Sequence, residues 1–175
     1  MDRVPFQATS GGALYQAIAQ LPVAVVLDNI RSLYNVGAFY RTADATSIEK
    51  LYLCGITAKP PRKEISKTAL GAEETVPWEH TPDTGELIRA LRSREYEIAA
   101  IETGIHSVDL YDWRPRFPVC VVFGNELDGL PQEISALCDN CVRIPMLGTK
   151  HSLNVATAGG VVMYELLRKY RELSR

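Results

Sequence analysis

Short apolar runs alternate along this chain with helix-length amphipathic segments, and no other feature limits its fold as sharply. The clearest runs are VAVVL at 23–27 and VCVVF at 119–123. Such strands and helices each carry an apolar surface that must be covered. Helices laid on a largely parallel sheet cover both, so the order of segments implies an α/β domain with helices flanking the sheet. The pattern predicts strands near residues 23–28, 50–54, 96–102, 118–123 and 141–144. Helices are expected near 10–20, 36–46, 83–94, 131–138 and 152–171, the fourth opening on Pro131, which suits a first helical turn. Residues 55–82 contain Pro60, Pro61, Pro77 and Pro82 and read as an irregular excursion with a short helical piece over 65–70, not as a second domain.

At 175 residues the chain is expected to hold a short N-terminal extension over 1–20 and a single domain over 21–175. A content of 46% hydrophobic and 23% charged residues excludes disorder, collagen and coiled coil. The apolar runs are far shorter than the roughly 20 residues that span a bilayer, and MDRVPFQATSGG has no signal-peptide core, so a soluble cytoplasmic protein without a membrane partner is expected. The net charge of −2 announces no nucleic-acid partner globally, and any such contact must come from a local patch. Lys59, Arg62, Lys63 and Lys67, opposed only by Glu64, form one candidate; on charge alone an ordinary solvated loop fits as well. Cys54 and Cys120 read as small buried hydrophobes. Cys138 and Cys141 have the spacing of half a zinc site, but no second pair follows, so no metal is expected.

In a parallel sheet, ligands gather beyond the carboxyl ends of the strands, which directs attention to the loops after residues 28, 102, 123 and 144. After the first strand, Asn35 is placed to cap a helix on which Gly37 and Arg41 share a face. Arg41 presents a planar fork of donors suited to phosphate, or else pairs with Asp44 at i, i+3. The segment GNELDGLP at 124–131 sets Glu126 between two glycines; it matches neither the dinucleotide fingerprint nor the P-loop, and Glu126 near a helix start is also a plain dipole effect. In the last segment Ser152 is expected to cap a long helix with Asn154 in its first turn. Gly159 and Gly160 within that helix each weaken it by about 1 kcal/mol relative to Ala, which calls for something packed closely against them, a second helix of this chain or of a partner.

Taken in order, NxGxxxRT at 35–42, FGNExxGLP at 123–131 and IPMxGxxxSLNV at 144–155 resemble the SpoU/TrmH-type RNA ribose methyltransferases of the SPOUT class. SKTALGAEETVPW at 66–78 is similar to that family's linker between its second and third strands. The resemblance implies an α/β SPOUT-type domain whose C-terminal segment is tied in a trefoil knot, against the usual rule that chains are unknotted. It implies S-adenosylmethionine as cofactor, held mainly by backbone groups at Thr103, Gly104, Gly124, Ile144, Met146 and Leu153. It implies homodimers with active sites at the seam, and methyl transfer to a ribose 2'-hydroxyl in tRNA or rRNA, tRNA before rRNA, with no DNA partner. Asn35, Arg41, Glu126, Ser152 and Asn154 are the implied catalytic residues. In that scheme Arg41 grips a phosphate and stabilises the developing alkoxide, Glu126 holds Arg41, and the others orient the ribose. A noncatalytic RNA-binding module that keeps the fold is the alternative; a Rossmann-like nucleotide enzyme lacks its glycine fingerprint here.

Overall fold

The computed structural model describes residues 15, 17–104 and 106–173, so the helix expected near 10–20 lies largely outside the described residues. Along the chain, β1 (Leu21–Asp28) leads to α1 (Leu33–Thr46), β2 (Ile48–Cys54), α2 (Lys63–Ala69), α3 (Ala72–Thr75), β3 (Trp78–Thr81) and α4 (Thr84–Ser93). Then come β4 (Glu97–Ile101), β5 (Val108–Asp109), β6 (Val119–Phe123), α5 (Gln132–Ser135), β7 (Asn140–Arg143) and α6 (Val155–Leu173). The strands form one sheet in the order β3-β2-β1-β6-β4-β7-β5, and every pairing is parallel.

Successive strand residues point to opposite faces, and the apolar runs feed both. Val25, Leu27, Val121 and Phe123 pack with Val36 and Phe39 of α1 and Val162 and Leu166 of α6. Ala24, Val26, Cys120 and Val122 pack on the other face with Ile88 and Leu91 of α4. Because β1 and β6 are adjacent and central, with Leu27 level with Phe123, their loops emerge side by side.

Four local expectations are corrected. The proline-rich excursion contains α2, α3 and the strand β3, which pairs along β2 from Leu51↔Trp78 to Cys54↔Thr81. The helix expected from Pro131 is only the four residues of α5. Ser32, not Asn35, caps α1, its hydroxyl accepting from the Asn35 amide. Asn154, not Ser152, caps α6, its Oδ1 accepting from the amides of Ala156 at 2.9 Å and Thr157 at 3.2 Å.

The two glycines of α6 divide. A Cβ on Gly159 would stand 2.3 Å from Cε1 of Phe39, whose ring also stacks edge-on against Phe123 at 5.1 Å. Gly160 meets nothing within 4 Å. Gly159 is thus where α6 closes on α1. Gly159→Ala is expected to destabilise the fold by about 1–3 kcal/mol through overpacking, whereas Gly160→Ala introduces no clash. Urea unfolding of the two variants checks this, with a lowered midpoint expected only for Gly159→Ala.

Candidate active site

The loops after β1, β4, β6 and β7 meet at the carboxyl end of the sheet. Between the last three lies a cleft of about 510 Å³, walled by Ile101, Glu102 and Thr103, by residues 123–130, and by Ile144, Met146 and residues 151–155 with Ala158. Five of the six residues expected at a cofactor line it: Thr103, Gly124, Ile144, Met146 and Leu153. Gly104 follows Thr103 outside the lining, with Sγ of Cys141 3.7 Å from where its Cβ would stand.

Of the five expected catalytic residues, Glu126, Ser152 and Asn154 line the cleft, and Asn35 is joined to them by hydrogen bonds. Asn35 Nδ2 donates to Glu126 Oε1 at 3.0 Å, and Asn154 Nδ2 donates to Asn35 Oδ1 at 3.2 Å. The carboxylate of Glu126 also accepts from the backbone amides of Arg31 at 3.1 Å and Ser32 at 3.2 Å. One side chain thereby fastens the loop after β6 to the loop after β1, and through Asn35 to the cap of α6. Partial burial works to raise the Glu126 carboxyl, but the bonds from Asn35, Arg31 and Ser32 outweigh it and hold the group below its ordinary value. Since the folded value is the depressed one, the carboxylate's contribution is complete above the unfolded value of about 4.3 and fades only as pH falls through the lower folded one. An NMR titration of the Asn35 side-chain amide is expected to report a midpoint below that of an ordinary glutamate.

Arg41 does not join this group. It lies six residues beyond Asn35 on α1, is exposed, and makes no hydrogen bond or ion pair among the described residues. Neither expected partner holds it: Glu126 is engaged as described, and Asp44 accepts from Thr75 Oγ1 at 2.9 Å. The bare Cα of Gly37 lets the backbone of α2 approach, since a Cβ there would stand 2.3 Å from the carbonyl oxygen of Ile65.

Glu102 was not singled out by sequence, and it does for the back of the cleft what Glu126 does for the rim. Its Oε1 accepts from the amide of Thr103 at 2.9 Å and its Oε2 from that of Leu130 at 3.2 Å, which fastens the loop after β4 to the loop after β6. Gly129 makes this possible: its φ is +69°, and a Cβ there would stand 2.4 Å from Glu102 Oε2. Gly124 is needed for the same fold-back, because its Cβ would stand 2.3 Å from the carbonyl carbon of Gly129. Asn125 Oδ1 shapes the tip by accepting from the amides of Leu127 and Asp128. The available sequence signal was an acidic residue at the very end of a strand whose loop faces the ligand side.

The cleft lining carries Glu102, Glu126 and Asp128 but neither Lys nor Arg. A site of that charge is poorly made for phosphates and suited to a ligand bearing positive charge.

The model of the SpoU rRNA Methylase family matches residues 22–164. A 23S rRNA (guanosine-2'-O-)-methyltransferase RlmB of Vibrio parahaemolyticus is 32% identical over 151 residues, 86% of this chain and 60% of that protein. The chain thus spans about three fifths of the length of that relative. The crystal structure of an AdoMet-bound rRNA methyltransferase from Sinorhizobium meliloti is 32% identical with a TM-score of 0.78, covering 83% of this chain and 56% of that one. A structure addressing the 2-OH methylation of C/U34 on tRNA is 28% identical with a TM-score of 0.77, covering 87% of this chain and 97% of that one. The family match runs through all three motif-bearing loops and their strands, and the chain belongs to the SpoU rRNA methylase family.

Proposed function

We propose that this chain is an S-adenosylmethionine-dependent methyltransferase acting on a ribose 2'-hydroxyl in RNA, with tRNA before rRNA as substrate, and that it works as a homodimer. The observation that carries the reading is the convergence of the loops after β4, β6 and β7 on one acidic cleft whose rim is the Glu126–Asn35–Asn154 network. Resemblance to an AdoMet-bound rRNA methyltransferase and to a tRNA 2-OH methylation structure of closely similar extent supports both cofactor and substrate class.

The residues fit the cofactor. Glu102, Glu126 and Asp128 complement a sulfonium and an ammonium group, the glycine-bent backbone at 124–130 offers close approach, and Ile101, Phe123, Ile144 and Met146 supply apolar wall for an adenine. Bound there, S-adenosylmethionine supplies a methyl group already activated by a positive sulfur, so no metal is called for. Thr103, Gly124, Ile144, Met146 and Leu153 would hold it, with Gly104 shaping the loop behind. Asn35, Ser152 and Asn154 would orient the ribose with its 2'-oxygen toward the bound cofactor, and that alignment would supply much of the acceleration.

The 2'-hydroxyl must lose its proton. Removing a proton from a guanidinium near pH 7 costs about 7.5 kcal/mol, so an arginine is a poor base. Arg41 instead grips the adjacent phosphate and stabilises the developing alkoxide, while a phosphate oxygen accepts the proton. Since Arg41 lies outside its own cleft, it acts in the cleft of a second copy. The outer face of α6, where Gly160 is uncovered and Tyr164 is 54% exposed beside a groove with Ala45 and Leu167, provides the seam.

Incubation with methyl-labelled cofactor and tRNA tests the reading. Label on a ribose 2'-oxygen is expected. Salt-sensitive RNA binding with no calorimetric binding of S-adenosylmethionine would replace it with the noncatalytic module.

A further inference from the structure

Lys50, Arg92, Arg94 and Arg168 form ion pairs, Lys169 is buried against carbonyl oxygens, and Arg171 lies over Tyr15. Beside α1, four cations without such partners lie close together in the chain. Lys59, Arg62, Lys63 and Lys67, on the loop before α2 and on α2 itself, are all exposed and form no ion pair among the described residues. Tyr34, a large aromatic side chain 49% exposed, is bonded through its carbonyl to this basic helix and is the immediate neighbour of Asn35.

Tyr34 is firmly set there. Its carbonyl accepts from Thr68 Oγ1 of α2 at 2.8 Å, and α1 and α2 touch backbone to backbone at Gly37. A half-exposed ring, a cluster of exposed cations on and before the neighbouring α2, and the ribose-orienting Asn35 next in sequence make the combination that binds an unpaired strand: cations track phosphates and the ring stacks a splayed base. A duplex keeps its bases stacked on one another and leaves such a ring unused.

We infer that Tyr34, with Arg62, Lys63 and Lys67, binds a single-stranded RNA segment flanking the methylated nucleotide, with one base stacked on the Tyr34 ring. This rests on the proposed RNA methyl transfer and narrows its substrate to unpaired loop nucleotides. The test uses fluorescence anisotropy of the full chain with a labelled octanucleotide RNA and with the same sequence as a duplex. The single strand is expected to bind more tightly. Tyr34→Ala should weaken it about tenfold while Tyr34→Phe retains it. The double variant Lys63→Gln/Lys67→Gln should lower the slope of log affinity on log salt by about 1.4, the share of two phosphate contacts in a single strand. Unchanged affinity in Tyr34→Ala, equal binding of the duplex, or conversion of a dimer to a monomer in sedimentation of Tyr34→Ala would each overturn the inference, the last by assigning the ring to a seam between copies. If these binding results hold while no methyl label reaches RNA, the proposed reaction fails and the binding face stands.

Discussion

Replacing Arg41 with alanine is expected to lower methyl transfer by about 10²–10³-fold, the usual loss when a preorganised group facing developing charge is removed. Affinity for S-adenosylmethionine, measured by calorimetry, should stay within about twofold, because Arg41 does not line the cleft. The fold should be equally indifferent, since the side chain is exposed and makes no bond among the described residues. A second experiment separates action within one chain from action across a dimer. Arg41→Ala and Asn154→Ala are each expected to be nearly inactive alone. If Arg41 serves the partner's cleft, mixing them at equal concentration gives heterodimers in which one of two sites has both residues intact, restoring about a quarter of the wild-type sites. Mixing without recovery would return Arg41 to its own chain's chemistry, and full activity of Arg41→Ala would remove it from the mechanism.

How much of this was readable in advance follows the range of the interactions involved. β1 and β6 are buried on both faces, so their sequences are continuous apolar runs that period and length identify directly. β3 and β5 are edge strands of four and two residues with partly exposed side chains, and no apolar run marks them. The caps shifted by two or three residues because Ser32 competes with Asn35, and Asn154 with Ser152, for the same orphan amides; only the backbone conformation decides which oxygen reaches them. Partners distant in sequence were harder still. That Glu126 is an important carboxylate was legible from its motif; that it holds Asn35 and two amides 94 and 95 residues away rather than Arg41 was not. Glu102 escaped for the same reason, because its contact with Leu130 exists only once β4 and β6 are adjacent. The knot of the family's fold lies furthest from local pattern. α6 packs beside α1 on the β1 side of the sheet although it follows β7, so residues 144–154 must cross the carboxyl ends of β4 and β6. The rule against knots could be set aside only by the resemblance, and the same crossing is what brings Asn154 to Asn35.

Gly124→Ala is expected to weaken cofactor binding about a hundredfold while leaving most of the fold in place. The added Cβ would stand 2.3 Å from the Gly129 carbonyl carbon and 2.4 Å from the Leu130 nitrogen, both backbone atoms that cannot rotate aside. The loop 124–130 must therefore open, and as it opens the Leu130 amide leaves Glu102 and the Asn125–Gly129 bridge breaks. Those are the contacts that give the cleft its width, so affinity for S-adenosylmethionine should fall by about a hundredfold, corresponding to about 2.7 kcal/mol. Stability should suffer less, because residues 124–129 lie at or near the surface and only Leu130 of this loop packs into the core. Gly148→Ala is the control: nothing lies within 4 Å of its Cβ position, and cofactor affinity should be unchanged. Glu102→Ala should reproduce the Gly124→Ala loss from the other side, since it removes the acceptor instead of displacing the donor, and hydrogen exchange at the Leu130 amide should quicken in both. Wild-type cofactor affinity in Gly124→Ala would mean that the loop after β6 does not shape the binding cleft, and the assignment of that cleft to S-adenosylmethionine would fall with it.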